Sequence, residues 1–435
     1  TDRTTPMKTK VKPSQVLSKT IENLLSGSQA SEDLLSDLLR LGAQRILQEA
    51  SEAEVDEFLG RGWYQRGDSE EVHRGYRNGY TPVSFKTTQG PITLQRPRIR
   101  DNSAPFESAI LSRIDRLEDR LVKLATEMYV RGLSTRDIEQ TLVDGNGNAV
   151  LSRSVTSRLT EELYAEYERW ANQDLSSYDV VYLFADGVYE SVRRYSNAQT
   201  ILCGWGICSD GRKVWLGLRA VASESAECWR EFFEDLKERG LAHPLLVLSD
   251  GAGGLKKAIG QCFPLADRGR CTAHKMRNLM NKLPKDQAIT APIKARLKAI
   301  YYAPDLETGQ GLAASFIQEY GRQYPSMVKC FHDDLQACLV QLKYPYGHRR
   351  SIRTTNLMER SFARQKRRTK IIPNHVNEKG AMKLVYGTLI RAARRWQRVT
   401  MDPADLVLLK TLRQTRCTDH QITQTDDRIS FRLAA

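Results

Sequence analysis

The chain has 435 residues and a formal net charge of +14, with 66 Lys and Arg set against 52 Asp and Glu. That length is well past the point where one hydrophobic core stops growing, so two to four domains are expected. No apolar run approaches the roughly 20 residues of a membrane helix. A cation excess on this scale favours a polyanion partner through counterion release, without saying which polyanion. The first residues show no apolar stretch between a basic start and a small-residue cleavage site, so a soluble protein acting in the cytoplasm is expected. The eight cysteines mostly sit in apolar segments such as Ile201-Leu202-Cys203, which suits reduced, buried thiols.

Residues 1–28 are polar, rich in Lys, Ser and Thr, and without a clear period, which predicts a mobile basic arm. From Ser31 to Gly60 apolar residues recur at three-to-four spacing (Leu34, Leu35, Leu38, Leu39, Ala43, Ile46, Leu47), which predicts two amphipathic helices. Tyr76 to Arg96 alternates around Asn78-Gly79 and Gln89-Gly90 and predicts a small hairpin. Residues 29–105 are thus expected to be a helical dimerisation region carrying a β hairpin. The nearby cations Arg74, Arg77, Lys86 and Arg96 either face DNA or form a solvated face.

Residues 106–172 return to a helical period, broken at Arg131-Gly132-Leu133 and again at Asp144-Gly145-Asn146-Gly147-Asn148, which predicts three helices. Ser134 and Asp137 resemble a capping box opening the middle one. Leu151 to Ser154 introduces the last. A helix-turn-helix places short polar and basic residues at the start of its second helix, where they reach base edges in the major groove. Arg153, Ser154, Thr156, Ser157 and Arg158 are the candidates for that role. A helical hairpin that binds nothing is the alternative.

From Tyr178 the period changes. Val180 to Ala185 is a continuous apolar run ending in Asp186-Gly187, as a strand buried on both faces would be. Two strand-like runs follow, Thr200 to Cys208 and Lys213 to Val221. An amphipathic helix from Ser223 to Arg239 and a further buried strand, Leu245 to Ser249, lead to Asp250. Three strands, a helix, a strand and a helix fit an antiparallel meander whose fourth strand returns parallel beside the first. Asp186 and Asp250 then sit on neighbouring central strands. Residues 173–274 are read as the first part of this core, 275–345 as an all-helical segment, 346–400 as the rest of the core and 401–435 as a tail.

Two like charges side by side are costly unless a cation lies between them. Mg²⁺ suits such a site, because it binds through few carboxylates and keeps waters and phosphate oxygens. A pair of ions about 3.5 to 4 Å apart can activate a hydroxyl and stabilise a leaving oxygen. Taken singly, each aspartate has a plainer role as a turn or cap residue. A third carboxylate is available at Glu359, although Asn356 and Glu359 also fit a capping box. The run Arg360, Arg364, Lys366, Arg367, Arg368 and Lys370 contains no acid and favours a polyanion nearby. Cys271 and His274 have no second pair to complete a zinc site and read as a buried hydrogen-bonded pair. The glycines after Asp250 lack the ending of a P-loop, so no nucleotide cofactor is expected; they are read as letting metal and phosphate approach the backbone.

The segment Asp250-Gly251-Ala252-Gly253-Gly254-Leu255 through Cys271-Thr272-Ala273-His274, with Trp229 and the Arg239-Gly240-Leu241 turn, resembles the signature of the Mutator-type transposases of bacterial insertion sequences. His348 to Arg368, containing Arg353-Thr354-Thr355-Asn356 and Glu359, resembles it too. The similarity runs over about residues 30–400. One departure is Met358, where many relatives have Ile before the Glu, a conservative change.

The resemblance implies an α/β catalytic core of RNase H-like (retroviral integrase-like) type, interrupted by an all-helical insertion and preceded by mainly α domains with a small hairpin. Its Asp, Asp and Glu fall on Asp186, Asp250 and Glu359, holding two Mg²⁺ or Mn²⁺ ions, with Cys271 and His274 as structural support. Arg353, Asn356, Arg360, Arg364, Arg367 and Arg368 are the candidate DNA contacts of the core. The implied activity is binding of terminal inverted repeats, end cleavage and strand transfer on double-stranded DNA by a homodimer, at the bacterial nucleoid and away from membranes. A site-specific nuclease on the same fold, or an inert DNA-binding regulator, are the other readings.

Overall fold

The computed structural model describes residues 11–28, 33–63, 65, 75–101, 106–114, 118–144, 147–189, 200–369 and 378–416. Two units divide the chain, Thr1–Glu162 and Leu163–Ala435.

In the first unit, α1 (Pro13–Leu25) occupies much of the segment expected to be a mobile arm. Proline pre-sets φ for a first helical turn. The Ser14 N–H and hydroxyl then donate to the buried Glu52 carboxylate at 3.1 and 2.6 Å, so the helix is held by a partner far along the chain. Glu52 lies on α2 (Leu34–Leu59), a single helix where two were expected. Gly42 in its interior meets nothing within 4 Å and does not interrupt it. Asp33 caps its start by accepting from Ser36 N–H, and Gly60 ends it in the left-handed region at φ 66°.

The hairpin consists of β1 (Tyr76–Thr87) and β2 (Gly90–Arg100). Its turn is at Thr88-Gln89. Asn78-Gly79 instead sits where the register slips between Arg77 and Tyr80, a bulge rather than a turn. The helical part of the unit opens with a short α3 (Ala109–Arg113), one more helix than expected, followed by α4 (Asp119–Val130) and α5 (Thr135–Thr141). The Ser134–Asp137 capping box is present at the start of α5. Next comes α6 (Arg153–Ala171), which continues into the second unit.

In the second unit, the strands are β3 (Val180–Tyr189), β4 (Thr200–Cys208), β5 (Lys213–Val221), β6 (Leu246–Ser249) and β7 (Asp267–Arg270), with α7 (Ala226–Glu238) and α8 (Gly253–Cys262) among them. The sheet order is β5-β4-β3-β6-β7. The first three pair antiparallel, and β6 and β7 add in parallel. Trp229, Phe232, Phe233 and Leu236 of α7 are buried in one core with Val180, Leu183 and Val247 of the sheet. Gly204 and Gly217 make room for them, since a Cβ there would lie 3.2 and 3.0 Å from the Phe232 ring.

The insertion is helical: α9 (Thr272–Met280), α10 (Gln287–Tyr301), α11 (Leu306–Tyr320), α12 (Pro325–Asp333), α13 (Leu335–Leu339) and a 3₁₀ turn at Val340–Lys343. It has its own core of Leu297, Ile300, Phe316, Phe331 and Leu339. Asp334 fastens it to the sheet, accepting from Lys275 at 2.8 Å and Lys256 at 3.1 Å, with Arg270 at 3.6 Å. The chain then returns through α14 (Tyr346–Ile352), α15 (Asn356–Thr369) and α16 (Glu378–Ala393). The expected tail is helical over 403–416 and docked on the core, with Arg413 on Asp179 at 2.9 Å and Arg416 on Asp267 at 2.5 Å. Cysteines 203, 208, 262, 271 and 338 are buried and reduced; Cys417 lies outside the described residues. Among the described residues no helix is long and apolar enough to cross a membrane.

Candidate active site

Parallel pairing of β3 with β6 aligns Phe184 with Leu248. Asp186 and Asp250 each lie two residues further on, so the register carries both to the same end of adjacent strands. Adjacent strands are about 4.8 Å apart. Burial pushes the Asp186 carboxyl up, and the negative charge of Asp250 pushes it further, to about 7 against an ordinary 3.8. His274 opposes this in part, while Cys271 and Glu224 add to it. Asp250 also shapes the chain locally, since its Oδ1 accepts from the Ala252 N–H at 2.9 Å and closes the turn into α8.

Two of the three glycines after Asp250 make room for protein groups. Gly251 has φ +84°, and a Cβ on it would fall 1.6 Å from Arg270 Nη1, so the space belongs to a guanidinium. Gly254 lies against the backbone of Ser225 and Ala226 at the start of α7. Gly253 alone of the three has open space around it.

Glu359 is in the first turn of α15. Its carboxylate accepts from Arg277 Nη2 at 2.6 Å and faces His274 Nε2 at 3.1 Å, both side chains of α9. The register brings the first two carboxylates together, while the third is engaged by Arg277 and His274. His274 is raised above its ordinary value by its bond with Cys271, and by the charges of Asp186 and Glu359. Among the described residues no three of His, Cys, Asp and Glu stand close enough to hold a metal ion. Asp186 and Asp250 fit a hard cation by charge and donor type. Glu359 fits one only after exchanging its present partners.

Cys271 and His274 interact at the start of α9. Thr355 joins them, its N–H 3.3 Å and its hydroxyl 3.4 Å from Cys271 Sγ, with the hydroxyl also 3.4 Å from His274 Nδ1. Burial pushes the Cys271 thiol up, but the bonds from His274 and Thr355 outweigh it and leave it near 7. Thr272 meanwhile donates from N–H and hydroxyl to the Arg353 carbonyl, both at 3.0 Å. These bonds fix α15 against α9.

The candidate DNA contacts divide. Arg153, Ser154, Ser157 and Arg158 are exposed on the first turns of α6. Thr156 is not: it is buried at 1% exposure, with its hydroxyl donating to Ser152 O, because it faces the helical core rather than solvent. The connection between α5 and α6, residues 142–152, is well beyond the three or four residues of a helix-turn-helix turn and carries a Val143–Ala149 bridge. The tight turn joins α4 to α5 instead. On the hairpin, Arg77 is committed to Asp56 and to the carbonyls of Arg61 and Gly62, a structural role; Arg74 lies outside the described residues. Arg353 and Asn356 are partly exposed and Arg360 is exposed, but the side chains of Arg364, Arg367 and Arg368 lie outside the described residues.

Two residues of the site were not picked out from the sequence. Glu224 stands over Gly187, where a Cβ would come 2.8 Å from Glu224 Oε2. It accepts from Trp229 Nε1 at 3.0 Å, and burial raises its carboxyl. The one usable signal was a glycine directly after a strand-end aspartate, which leaves room for another group. Arg277, the partner of Glu359, carries no local signal at all.

This arrangement of strand-end aspartates, helical insertion and returning glutamate coincides with a family relationship. The family model "Transposase, Mutator family" matches residues 14–399. The chain belongs to the Mutator family of transposases, whose role is DNA processing. It is similar to the transposase for insertion sequence element IS6120 of Mycolicibacterium smegmatis, at 36% identity over 62% of this chain and 84% of that protein. It is also similar to the transposase for ISRM5 of Rhizobium meliloti, at 30% over 85% and 92%. A third relative is the transposase for IS256 in transposon Tn4001 of Staphylococcus aureus, at 31% over 81% and 89%.

Proposed function

We propose that this chain is an insertion-sequence transposase that binds terminal inverted repeats as a homodimer, cleaves DNA at the element ends and joins them to target DNA. The observation that carries the reading is the Asp186–Asp250 pair, two carboxylates fixed on adjacent parallel strands with Asp186 held near 7 by burial and by its neighbour. The sheet order, a three-strand antiparallel meander continued by two parallel strands, supports an RNase H-like core.

Asp186 and Asp250 would hold Mg²⁺ or Mn²⁺, with Glu359 completing the set. Two such ions supply Lewis acidity and charge neutralisation at an in-line phosphodiester displacement. The chain's own residues do the rest. Glu359 leaves Arg277 and His274 as the site assembles. The freed Arg277 guanidinium, already 56% exposed, is then available to a phosphate oxygen. His274, 3.4 Å from the Thr355 hydroxyl, keeps α9 and α15 in register while Glu359 moves. Arg353, Asn356 and Arg360 bind the strand beside the site, and Arg153, Ser154, Ser157 and Arg158 the element end.

The test is a reaction of the full chain with labelled element ends, target plasmid and Mg²⁺. Asp186→Asn, Asp250→Asn and Glu359→Gln should each abolish end cleavage with DNA binding retained; normal cleavage by any of them removes that residue from the mechanism. Cleavage without joined products would favour a nuclease, and binding with neither would favour an inert regulator.

A further inference from the structure

Beside α15 lies a cleft of about 250 Å³ whose lining includes Trp205, Lys213, Tyr302, Arg350, Arg353 and Arg360, and no carboxylate. Its walls come from distant parts of the second unit. Lys213 opens β5, Tyr302 follows α10 of the insertion, and the three arginines belong to α14, its end and α15. The Arg353 guanidinium lies over the Tyr302 ring at 3.6 Å from its centroid. Tyr302 is nevertheless 57% exposed. The indole N–H of buried Trp205 has no hydrogen-bond partner among the described residues. Burial lowers the Lys213 ammonium below its ordinary value, and no carboxylate offsets the cost.

Four cations gathered without an acid repel one another until an anion arrives. Duplex phosphates would satisfy them, but would leave the tyrosine unexplained. Proteins that hold single-stranded nucleic acid combine a basic groove with an aromatic face on which a base stacks, and arginine planes serve the same end.

We propose that this cleft takes one unstacked nucleotide of a DNA strand, with its phosphate among Lys213, Arg350 and Arg360 and its base against the Tyr302–Arg353 stack. The choice of DNA rests on the transposase reading, but the stacking site does not depend on the carboxylates. It gives the helical insertion a share in the substrate, since Tyr302 is the insertion's contribution to the cleft. A base held here would keep a strand end from reannealing beside Glu359.

The experiment uses the full chain in EDTA, with a fluorescein-labelled oligo-dT single strand and a mixed-sequence duplex of equal length as probes, read by anisotropy. Tyr302→Ala should weaken single-strand binding about tenfold and leave duplex binding within about twofold, with Tyr302→Phe behaving as wild type. Lys213→Ala should lower the salt slope of single-strand binding by about one. The proposal is overturned if wild type fails to bind oligo-dT, if Tyr302→Ala leaves single-strand binding unchanged, or if it weakens both probes equally. Thermal unfolding of Tyr302→Ala, expected near wild type for so exposed a side chain, guards against a folding defect. Because EDTA removes divalent metal, failure of the carboxylate reading appears only in the cleavage assay, and failure of this one only in binding.

Discussion

Asp334 offers the sharpest test of how the insertion is attached. Its carboxylate is 15% exposed and takes Lys275 at 2.8 Å, with Lys275 only 2% exposed. Lys256 and Arg270 complete the set at 3.1 and 3.6 Å. Burial alone would raise this carboxyl, yet the bonds from Lys275 and Lys256 hold it below its ordinary value. Asp334→Ala leaves a buried ammonium without its counter-charge, which costs about 3 to 5 kcal/mol. Five of the six tryptophans (170, 205, 215, 229 and 396) belong to the second unit, so urea unfolding followed by tryptophan fluorescence reports mainly on it. Adding Lys275→Met removes the stranded charge and should recover part of the loss. A carboxyl held low stabilises the fold above its ordinary value and loses that contribution as pH falls, so the deficit of Asp334→Ala should shrink toward acid. A deficit below about 1 kcal/mol, or no recovery in the double variant, would refute the account of this network.

Asp186 has the opposite sign. Its carboxyl is raised to about 7, so the fold binds a proton that the unfolded chain has lost, and in EDTA stability should fall as pH rises from about 4 through about 7. Melting curves across that window should be flatter for Asp186→Asn; equal slopes would contradict the burial argument. Gly251→Ala should destabilise by more than about 2 kcal/mol, combining a left-handed φ with displacement of buried Arg270, and a neutral outcome in urea would show that the guanidinium can move aside. Arg277→Ala releases Glu359 from its strongest partner, so Mn²⁺ should raise the melting temperature of this variant more than that of wild type; an equal rise would mean that Arg277 does not compete with metal.

Where a segment is buried on both faces, its sequence alone marked it. Thr200–Cys208 coincides with β4, buried along its whole length, and Lys213–Val221 with β5, buried over Trp215–Leu218, because apolar runs between turn residues leave few other conformations. By contrast β7, Asp-Arg-Gly-Arg, has no apolar pattern and is a strand only because it pairs with β6. Helix α1 was hidden for a related reason: its anchor, Ser14 on Glu52, joins residues 38 apart in sequence. The site divides along the same line. Asp186 and Asp250 each follow an apolar run, which marked both, although β3 runs on past Asp186 to Tyr189 through its pairing with β4. Glu224 reaches Asp186 only because α7 docks on the sheet. Glu359 meets Arg277 across 82 residues, a distance over which no local pattern carries information.

The bonds from Thr272 to the Arg353 carbonyl span 81 residues and close the loop that contains the whole insertion. Synthesis runs from the N-terminus, so a growing chain exposes both strand-end aspartates long before Glu359 exists. Any product stopped before Arg353 contains the first unit and all five strands of the sheet, but it lacks the clasp that seats α15 on α9. Glu359 is thus the last of the three carboxylates to be synthesised, after every residue of the loop that the Thr272–Arg353 clasp closes.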